Sequence, residues 1–304
     1  MLKNNEYNSV KKSGLGTRIK NQSMMWLLLL PTTFALVMFI IYPILSGIIL
    51  SFFHVEGFSP TTFCGFENYK NVLHDTLFMK TLTNSLLYVF WSLVIGFLPP
   101  LAFAIMLDEV VHFKQGFKFI TYLPAVTPAL AVSLLWTSIY NAGTGGLLNM
   151  IIAKFGIPAQ QWLGDPNLAL PLIIVSMTWN GYGPTMLLYL AALQGVNRDL
   201  YEAALIDGAG IWRRLFKITL PKIAPTMLLL GVRQMIGVFQ IMDQPLVMTD
   251  GGPNNATMSI NLASYKMAFT YMQVDRSLAL GVVAFGILLI LTIAYFRLDK
   301  KLGA

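Results

Sequence analysis

Six long apolar stretches with almost no charged residues determine what this chain can fold into. They span residues 24–50, 84–107, 119–140, 168–193, 224–247 and 277–296. About 20 apolar residues in a helix are enough to cross the ~30 Å of hydrocarbon in a lipid bilayer. The pattern therefore predicts an all-α fold, a polytopic membrane protein with six transmembrane helices.

The composition is also that of a membrane protein. Hydrophobic residues make up 56% and charged residues 12% of the 304 residues, whereas about 25% of the residues of a soluble domain are charged. The first stretch, 24–50, is too long for the apolar region of a secretory signal, and no small-residue cleavage pattern follows it. We expect residues 1–23 to form a basic cytoplasmic tail near anionic membrane lipid, and residues 24–304 to form the transmembrane domain.

Basic residues predict the orientation of the chain. Fifteen of the 21 lysines and arginines fall in the N-terminal tail, in the segments after the second and fourth stretches, and at the C-terminus. Five fall in the alternate segments, and Arg233 lies inside the fifth stretch. Because cytoplasmic loops are enriched in Lys and Arg, both termini are predicted to be cytoplasmic. The net charge of +7 then reflects topology and gives no support for nucleic-acid binding.

Several motifs of catalysis are missing from the sequence. No Gly-Lys dipeptide occurs, so the chain lacks the GxxxxGK[ST] phosphate loop of many ATPases. It also lacks the H-E-x-x-H, C-x-x-C and nucleophile-elbow patterns. We therefore expect a chain that is not an enzyme and binds no metal or cofactor, and that takes its energy from partner subunits or from an ion gradient.

The polar segment 198–225, between the fourth and fifth stretches, contains clear helix signals. Asp199 and Glu202 have the spacing of a capping pair at a helix start. Gly208 and Gly210 follow as a helix stop. A short helix with small alanines on it lets the backbone of a partner approach closely, and the sequence alone equally allows an amphipathic loop on the membrane surface.

A second short helix is predicted at 211–219, with apolar residues on one side and basic residues on the other. Pro221 and Pro225 come next. Because proline cannot continue a helix without losing a hydrogen bond, these residues are expected to mark the start of the fifth span.

Two motifs in this region resemble those of a known family. The first matches the EAA loop of the membrane subunits of binding-protein-dependent ABC importers, at Glu202, Ala203, Ala204, Gly208, Ala209, Ile218, Leu220 and Pro221. The second, Met-Thr-Asp-Gly-Gly-Pro at 248–253 followed by Thr257, is similar to a loop of the carbohydrate branch, in the MalF-like subunit. The resemblance covers about 84–296, the core of the transmembrane domain. The chain therefore resembles a carbohydrate ABC importer permease subunit.

This resemblance implies a type I ABC importer permease fold and a set of partners. The loop would form a coupling helix in a groove of an ATPase, through Glu202, Ala203, Ala204, Asp207, Gly208 and Ala209. The implied partners are a second, MalG-like permease, two ABC ATPase subunits and an extracytoplasmic solute-binding protein. ATP and Mg would be used by the ATPases and not by this chain, in a bacterial cytoplasmic (inner) membrane.

Polar residues inside the fifth stretch are candidates for a substrate path. Arg233, Gly237, Gln240 and Gln244 fall at i, i+4, i+7 and i+11, which places them on one face of a continuous helix. An arginine near the middle of a membrane is costly, so this face is expected to meet protein or water. The alternatives are that these groups join helices or contact the sister subunit, or that Arg233 reaches toward the membrane surface.

The fourth stretch offers a similar polar set. Asn180, Tyr182, Thr185 and Tyr189 lie close together along it, and amides, hydroxyls and aromatic faces are groups that bind sugars. Gly181, Gly183 and Pro184 predict a local break in the helix, of the kind tolerated where backbone lines a cavity. Close packing of helices is the alternative explanation of the two glycines.

The sequence also allows other substrates and one other class of transporter. Arg233 suits a glycerol phosphate, and a polyol is a further alternative to a sugar or oligosaccharide. An ion-coupled secondary transporter would need acids within its spans and commonly an inverted repeat. The stretches contain only Asp243, and no repeat is visible.

Overall fold

A computed structural model of the protein describes residues 27–57, 59–109 and 113–302, and the side chains of this part up to Arg297. The predicted basic tail at 1–23 lies outside the described residues. Within them the chain is mainly helical, as expected, with one two-stranded antiparallel hairpin in addition.

The elements are as follows in chain order. They are α1 (Leu27–Leu50), β1 (Phe53–Glu56), β2 (Ser59–Phe63), α2 (Glu67–His74), α3 (Thr76–Glu109), α4 (Lys114–Val126), α5 (Ala129–Ile139), α6 (Leu147–Ala153), α7 (Ala169–Gln194), α8 (Asp199–Ile206), α9 (Ile211–Phe239), α10 (Asp243–Thr249), α11 (Ile260–Tyr265) and α12 (Val274–Leu302). Short π-helical segments occur within α1, α3 and α9 and directly after α11.

Four helices of the described part are long and apolar enough to cross a membrane, namely α1, α3, α9 and α12 up to Arg297. The bent pair α4 and α5 makes a fifth span if the two are counted together. Helix α7 has 26 residues, or roughly 39 Å at 1.5 Å per residue. It contains no charged residue, and polar residues between Thr178 and Thr185 lower its mean hydropathy. Each of the six predicted stretches thus overlaps a helix or a bent pair of helices, and α7 is not among those that are apolar enough to count as a span.

The third predicted span, 119–140, is not a continuous helix. Its two parts, α4 and α5, meet at an angle of 96°. Thr127 between them is extended, with φ −78° and ψ 132°, and it precedes Pro128. Because a proline ring disfavours the helical conformation in the residue before it, this Thr-Pro step explains the bend.

The fifth predicted span, 224–247, is wrong at both ends. Helix α9 begins at Ile211, runs through Pro221 and Pro225, and ends at Phe239. A π-helical segment, Leu215–Thr219, ends two residues before Pro221, and such local changes of helix type are common beside a proline, which lacks an N–H group. The expected separate helix at 211–219 is therefore the first part of α9.

Helix α7 lies at the centre of the packing and contacts α3, α4, α5, α9 and α10. The predicted break at Gly181, Gly183 and Pro184 is absent, since α7 is continuous from Ala169 to Gln194. The alternative, close helix packing, is confirmed at Gly183. A Cβ atom added there would lie 2.6 Å from the Cα atom of Tyr122 on α4, so only glycine fits.

At the end of the molecule that carries α10 and α11, buried polar groups attach the loop 250–259 to α3. Asn84 donates from Nδ2 to the carbonyl oxygens of Asn255 and Met258, at 2.7 and 2.9 Å. The Tyr88 hydroxyl donates to the carbonyl oxygen of Thr257 at 3.0 Å, and Ser85 Oγ accepts from the Ile260 N–H at 3.0 Å. The second motif noted in the sequence is thus held in place by α3.

Candidate functional site

Helices α3, α4, α7 and α9 line an open cavity of about 420 Å³. The π-helical segment of α3 and the central turns of α7 and α9 form its walls. Its polar lining comes from α7 and α9 and consists of Thr178, Asn180, Thr185, Arg233 and Gln234. Aspartate, glutamate and histidine are absent from the lining that the structure describes. We call this space the central cavity.

Arg233 is the single charged residue among the described residues that line the central cavity. Its side chain is exposed to this space. No hydrogen bond or ion pair joins it to any other described residue. An unpaired arginine in a membrane span costs roughly 2.5 to 3.5 kcal/mol on insertion scales, so its guanidinium needs water or an anion in this space.

Asn180 faces the same cavity and also supports its wall. Its Nδ2 donates to the carbonyl oxygen of Pro124 at 2.7 Å and to that of Thr127 at 3.4 Å. These acceptors lie where α4 ends, and a helix end leaves carbonyl groups without partners inside the helix. Asn180 thereby supports the bend between α4 and α5. Its Oδ1 accepts no hydrogen bond from the described residues.

Gln234 and Thr178 were not singled out in the sequence, yet both line the central cavity. A Cβ atom added to Gly96 on α3 would lie 2.8 Å from Gln234 Nε2 and 3.2 Å from Thr178 Oγ1. The missing side chain of Gly96 therefore makes room for both polar groups. The sequence does contain a signal for Gln234, which is a side-chain amide inside an apolar span. Such an amide is costly in a membrane unless it contacts protein or a polar cavity.

Tyr182 and Tyr189 lie away from the central cavity. The ring of Tyr182 packs 5.9 Å from that of Phe103, and its hydroxyl donates to the carbonyl oxygen of Pro99 at 3.2 Å. Tyr189 is fully buried, with its ring 5.7 Å from that of Phe97 in an edge-on contact. Both tyrosines thus join α7 to α3.

The predicted stripe along the fifth span is divided by the end of α9. Gln240 is the first residue after the helix, and its backbone carbonyl accepts from Asn261 Nδ2 at 2.9 Å. Gln244 lies on α10, beside a small cavity of about 10 Å³ that Asn180 also lines. The structure therefore brings Arg233 together with Asn180 and places Gln240 outside the central cavity.

A second candidate site is the segment around α8. Its helix begins at Asp199, as predicted, but Asp199 does not cap it. Instead Asn197 Oδ1 accepts the Asp199 N–H at 3.0 Å, and Asn197 Nδ2 donates to Asp199 Oδ2 at 3.1 Å. The expected capping pair of Asp199 and Glu202 is thus replaced by a turn in which Asn197 holds the helix start.

Helix α8 ends in a Schellman motif at Gly208. This residue has φ +72°, the left-handed region that favours glycine. The N–H of Ala209 bonds to the carbonyl oxygen of Ala204 at 2.8 Å, and that of Gly208 to Leu205 at 3.0 Å, which is the bonding pattern of the motif. A Cβ atom at Gly208 would meet nothing within 4 Å, so the backbone conformation alone requires glycine here.

Large apolar side chains surround this turn without cover. Ile206 is 88% exposed and Trp212 is 72% exposed, and Leu205 and Ile211 are exposed as well. Glu202, Ala203 and Asp207 are also exposed, while Ala204 and Ala209 are half-buried. We call the set Leu205, Ile206, Ile211 and Trp212 the apolar turn. Such a patch, bordered by acids, is typical of a surface that binds another protein or the membrane.

Behind α8 lies a polar cavity of about 400 Å³, at the end of the molecule opposite to α10. Glu202 lines it together with acids at the end of α3, with Arg198 and with Arg214 of α9. The Tyr201 hydroxyl lies 3.0 Å from Thr219 Oγ1 and connects α8 to α9. This contact links α8 to the helix that carries Arg233.

Comparison with known proteins places these features in a family. The profile of the binding-protein-dependent transport system inner membrane component family matches residues 14–303. The lactose transport system permease protein LacF of Rhizobium radiobacter is 32% identical over 252 residues, which is 81% of this chain and 84% of that protein. The trehalose/maltose transport system permease protein MalF of Thermococcus litoralis is 31% identical over 279 residues, which is 90% of this chain and 93% of that protein.

A solved structure has the same fold. It is a chain of a bacterial ABC transporter involved in the import of the acidic polysaccharide alginate, with a TM-score of 0.84. Its sequence identity is 24%, and the match covers 96% of this chain and 100% of that chain. The predicted ABC importer permease fold and the resemblance seen in the two motifs are confirmed: the chain belongs to the family of binding-protein-dependent transport system inner membrane components.

Proposed function

We propose that this chain is the membrane-spanning permease subunit of an ATP-driven importer for a sugar or oligosaccharide, and that it forms half of the translocation path. The observation that carries this proposal is the central cavity, which lies between apolar spans and is lined by amides, hydroxyls and one guanidinium. Its volume falls in the range of roughly 300 to 1,000 Å³ that is usual for small-molecule sites.

The sugar assignment is supported by the names of the relatives, which give lactose and trehalose/maltose as the transported compounds. It is also supported by chemistry. Asn180 offers Oδ1 as an acceptor, and Thr178, Thr185 and Gln234 offer further hydrogen-bonding groups. Such groups pair with the hydroxyls of a sugar and replace the water that it loses in the membrane.

The apolar turn and the acids beside it form the contact with an ATPase subunit. A groove that accepts a short helix buries exposed apolar residues of this kind. Glu202, Ala203, Ala204, Asp207, Gly208 and Ala209 are the coupling residues of this proposal. The Schellman motif closes the end of α8 with two backbone hydrogen bonds, and in this proposal α8 moves together with the ATPase.

The remaining partners follow from this assignment. A similar, MalG-like permease supplies the other half of the path, two ABC ATPases bind ATP and Mg, and an extracytoplasmic solute-binding protein delivers the sugar. Both termini and α8 face the cytoplasm of the bacterium, and this chain binds no nucleotide. ATP-driven closure of the ATPases displaces α8, rotates the spans as a body and opens the central cavity outward.

Affinity purification of the tagged chain from mild detergent, followed by mass spectrometry, tests this function. We expect an ATPase, a second permease and a solute-binding protein to co-purify, with an unrelated multi-pass protein bearing the same tag as the control. Recovery of the chain alone, or as a homodimer without an ATPase, would instead support an ion-coupled transporter.

A further inference from the structure

We propose that the transported saccharide carries an anionic group, a carboxylate or a phosphate, and that Arg233 binds this group in the central cavity. This inference rests on the proposed function, and it concerns the chemical class of the substrate. The observations behind it are the position of Arg233, the lack of a side-chain partner among the described residues and the absence of acids from the described lining of the cavity.

The first step concerns charge balance. Arg233 lies on α9, six residues before the helix ends at Phe239, and its side chain reaches the central cavity. Its guanidinium has no ion pair with the described residues, and the described lining offers no carboxylate to neutralise it. A positive charge that is held between low-dielectric walls attracts anions strongly, because the surrounding apolar groups screen it poorly.

The second step concerns the chemistry of recognition. A guanidinium presents a planar set of N–H donors that matches a carboxylate or a phosphate in a bidentate pair. A neutral sugar needs no fixed cation, since amides and hydroxyls satisfy its groups. Gln234, Thr178 and Asn180 already provide these in the same cavity. Arg233 therefore adds the one function that the other groups lack, binding of a negative charge.

The third step separates the substrate from another source of negative charge. A carboxylate of the sister permease, facing the path from the other half, would also pair with Arg233. In that case the pair holds the two subunits together and affects every substrate equally. A substrate anion, by contrast, makes the effect of Arg233 depend on the charge of the transported compound.

The experiment uses the assembled complex in proteoliposomes with its solute-binding protein and ATP. The uptake probes are digalacturonate, glucose 6-phosphate and galactobiose, a disaccharide that resembles digalacturonate but has neutral CH2OH groups in place of the carboxylates. The variants are Arg233→Gln, which removes the charge, and Arg233→Lys, which keeps it. Lys80→Gln is the control, because Lys80 is an exposed residue of α3 outside the cavity lining.

We expect one of the two anions to accumulate at least tenfold more than galactobiose. Arg233→Gln should lower that uptake about tenfold or more, Arg233→Lys should retain most of it, and Lys80→Gln should match the wild type. The anion that accumulates distinguishes a uronate from a phosphate. Preference for galactobiose, uptake of neither anion by a complex with a working ATPase, or equal losses for all probes would overturn the inference. Failure to recover any ATPase with the chain would instead count against the proposed function.

Discussion

Asn84 on α3 donates a hydrogen bond to the backbone carbonyl of Asn255, 171 residues later in the sequence, at 2.7 Å. The same amide donates to Met258, and the residue is 3% exposed. A loop buried against a helix needs partners for its backbone polar groups, and one asparagine supplies two of them here. This contact explains why a polar residue lies inside α3, where the sequence had placed only the edge of a span.

Replacing Asn84 by alanine should destabilise the protein, because the buried hydrogen bond to the Met258 carbonyl and the part-buried one to the Asn255 carbonyl are both lost. Each unsatisfied buried group costs about 1 to 3 kcal/mol. We expect a clear fall in the melting temperature of the purified chain, measured by fluorescence-detected size exclusion after heating. Thr83→Ala is the control, since the Thr83 hydroxyl is exposed and bonds only within its own helix. Equal melting temperatures for the two variants would contradict this role.

Gly183 and Gly181 on α7 offer a matched pair for the packing of α7 against α4. Gly183→Ala would place a Cβ against the backbone of Thr121 and Tyr122, whereas Gly181→Ala meets nothing within 4 Å. Overpacking of this kind typically costs about 1 to 3 kcal/mol. We expect Gly183→Ala to lower the melting temperature and Gly181→Ala to leave it unchanged or slightly raised. A lower value for Gly181→Ala alone would be inconsistent with the observed packing.

Gly208 should be sensitive to the identity of its replacement. Alanine in the left-handed conformation costs about 1 to 2 kcal/mol, and asparagine tolerates it better. Gly208→Ala should therefore reduce transport per ATP hydrolysed more than Gly208→Asn, with the chain still inserted in the membrane. Gly210→Ala is the control because Gly210 has φ −66°. Normal coupling in Gly208→Ala, and also in Glu202→Ala, would argue against α8 as the coupling element.

The apolar turn makes a separate prediction about assembly. Ile206→Asp places a charge at a position that is 88% exposed in the isolated chain. It should leave the fold intact and abolish co-purification of the ATPase, since burying an unpaired carboxylate in an interface is costly. Ile206→Val keeps the apolar character and serves as the control. Full recovery of the ATPase with Ile206→Asp would place the contact elsewhere.

The sequence predicted features that depend on local patterns. Apolar length is enough to find the spans, and Gly208 marks a helix end because only glycine readily adopts its φ. The sequence also contains a signal for the bend between α4 and α5, because Pro128 disfavours a helical conformation of Thr127. The apolar length of 119–140, in contrast, predicts a single helix.

The remaining features depend on contacts between distant parts of the chain. The end of α9 at Phe239 leaves no local signal, since no proline or glycine follows directly, and helical periodicity therefore predicts a continuous polar stripe to Gln244. Likewise Gln234 enters the central cavity through the space left by Gly96, which is 138 residues earlier in the chain. Helical periodicity alone does not reveal such a relationship.

Gln234 and Gln240 therefore give a direct test of which amide contacts the substrate. Gln234 lines the central cavity, whereas Gln240 follows the end of α9 outside it, and its backbone alone is bonded to Asn261. Loss of a hydrogen bond to a neutral partner costs about 0.5 to 1.5 kcal/mol, which corresponds to a change of roughly 2- to 13-fold in affinity. We expect Gln234→Ala to reduce uptake at limiting substrate within this range and Gln240→Ala to leave it near the wild-type value. The reverse result would place the path along the stripe from Arg233 to Gln240 and Gln244, and it would require α9 to extend beyond Phe239 during transport.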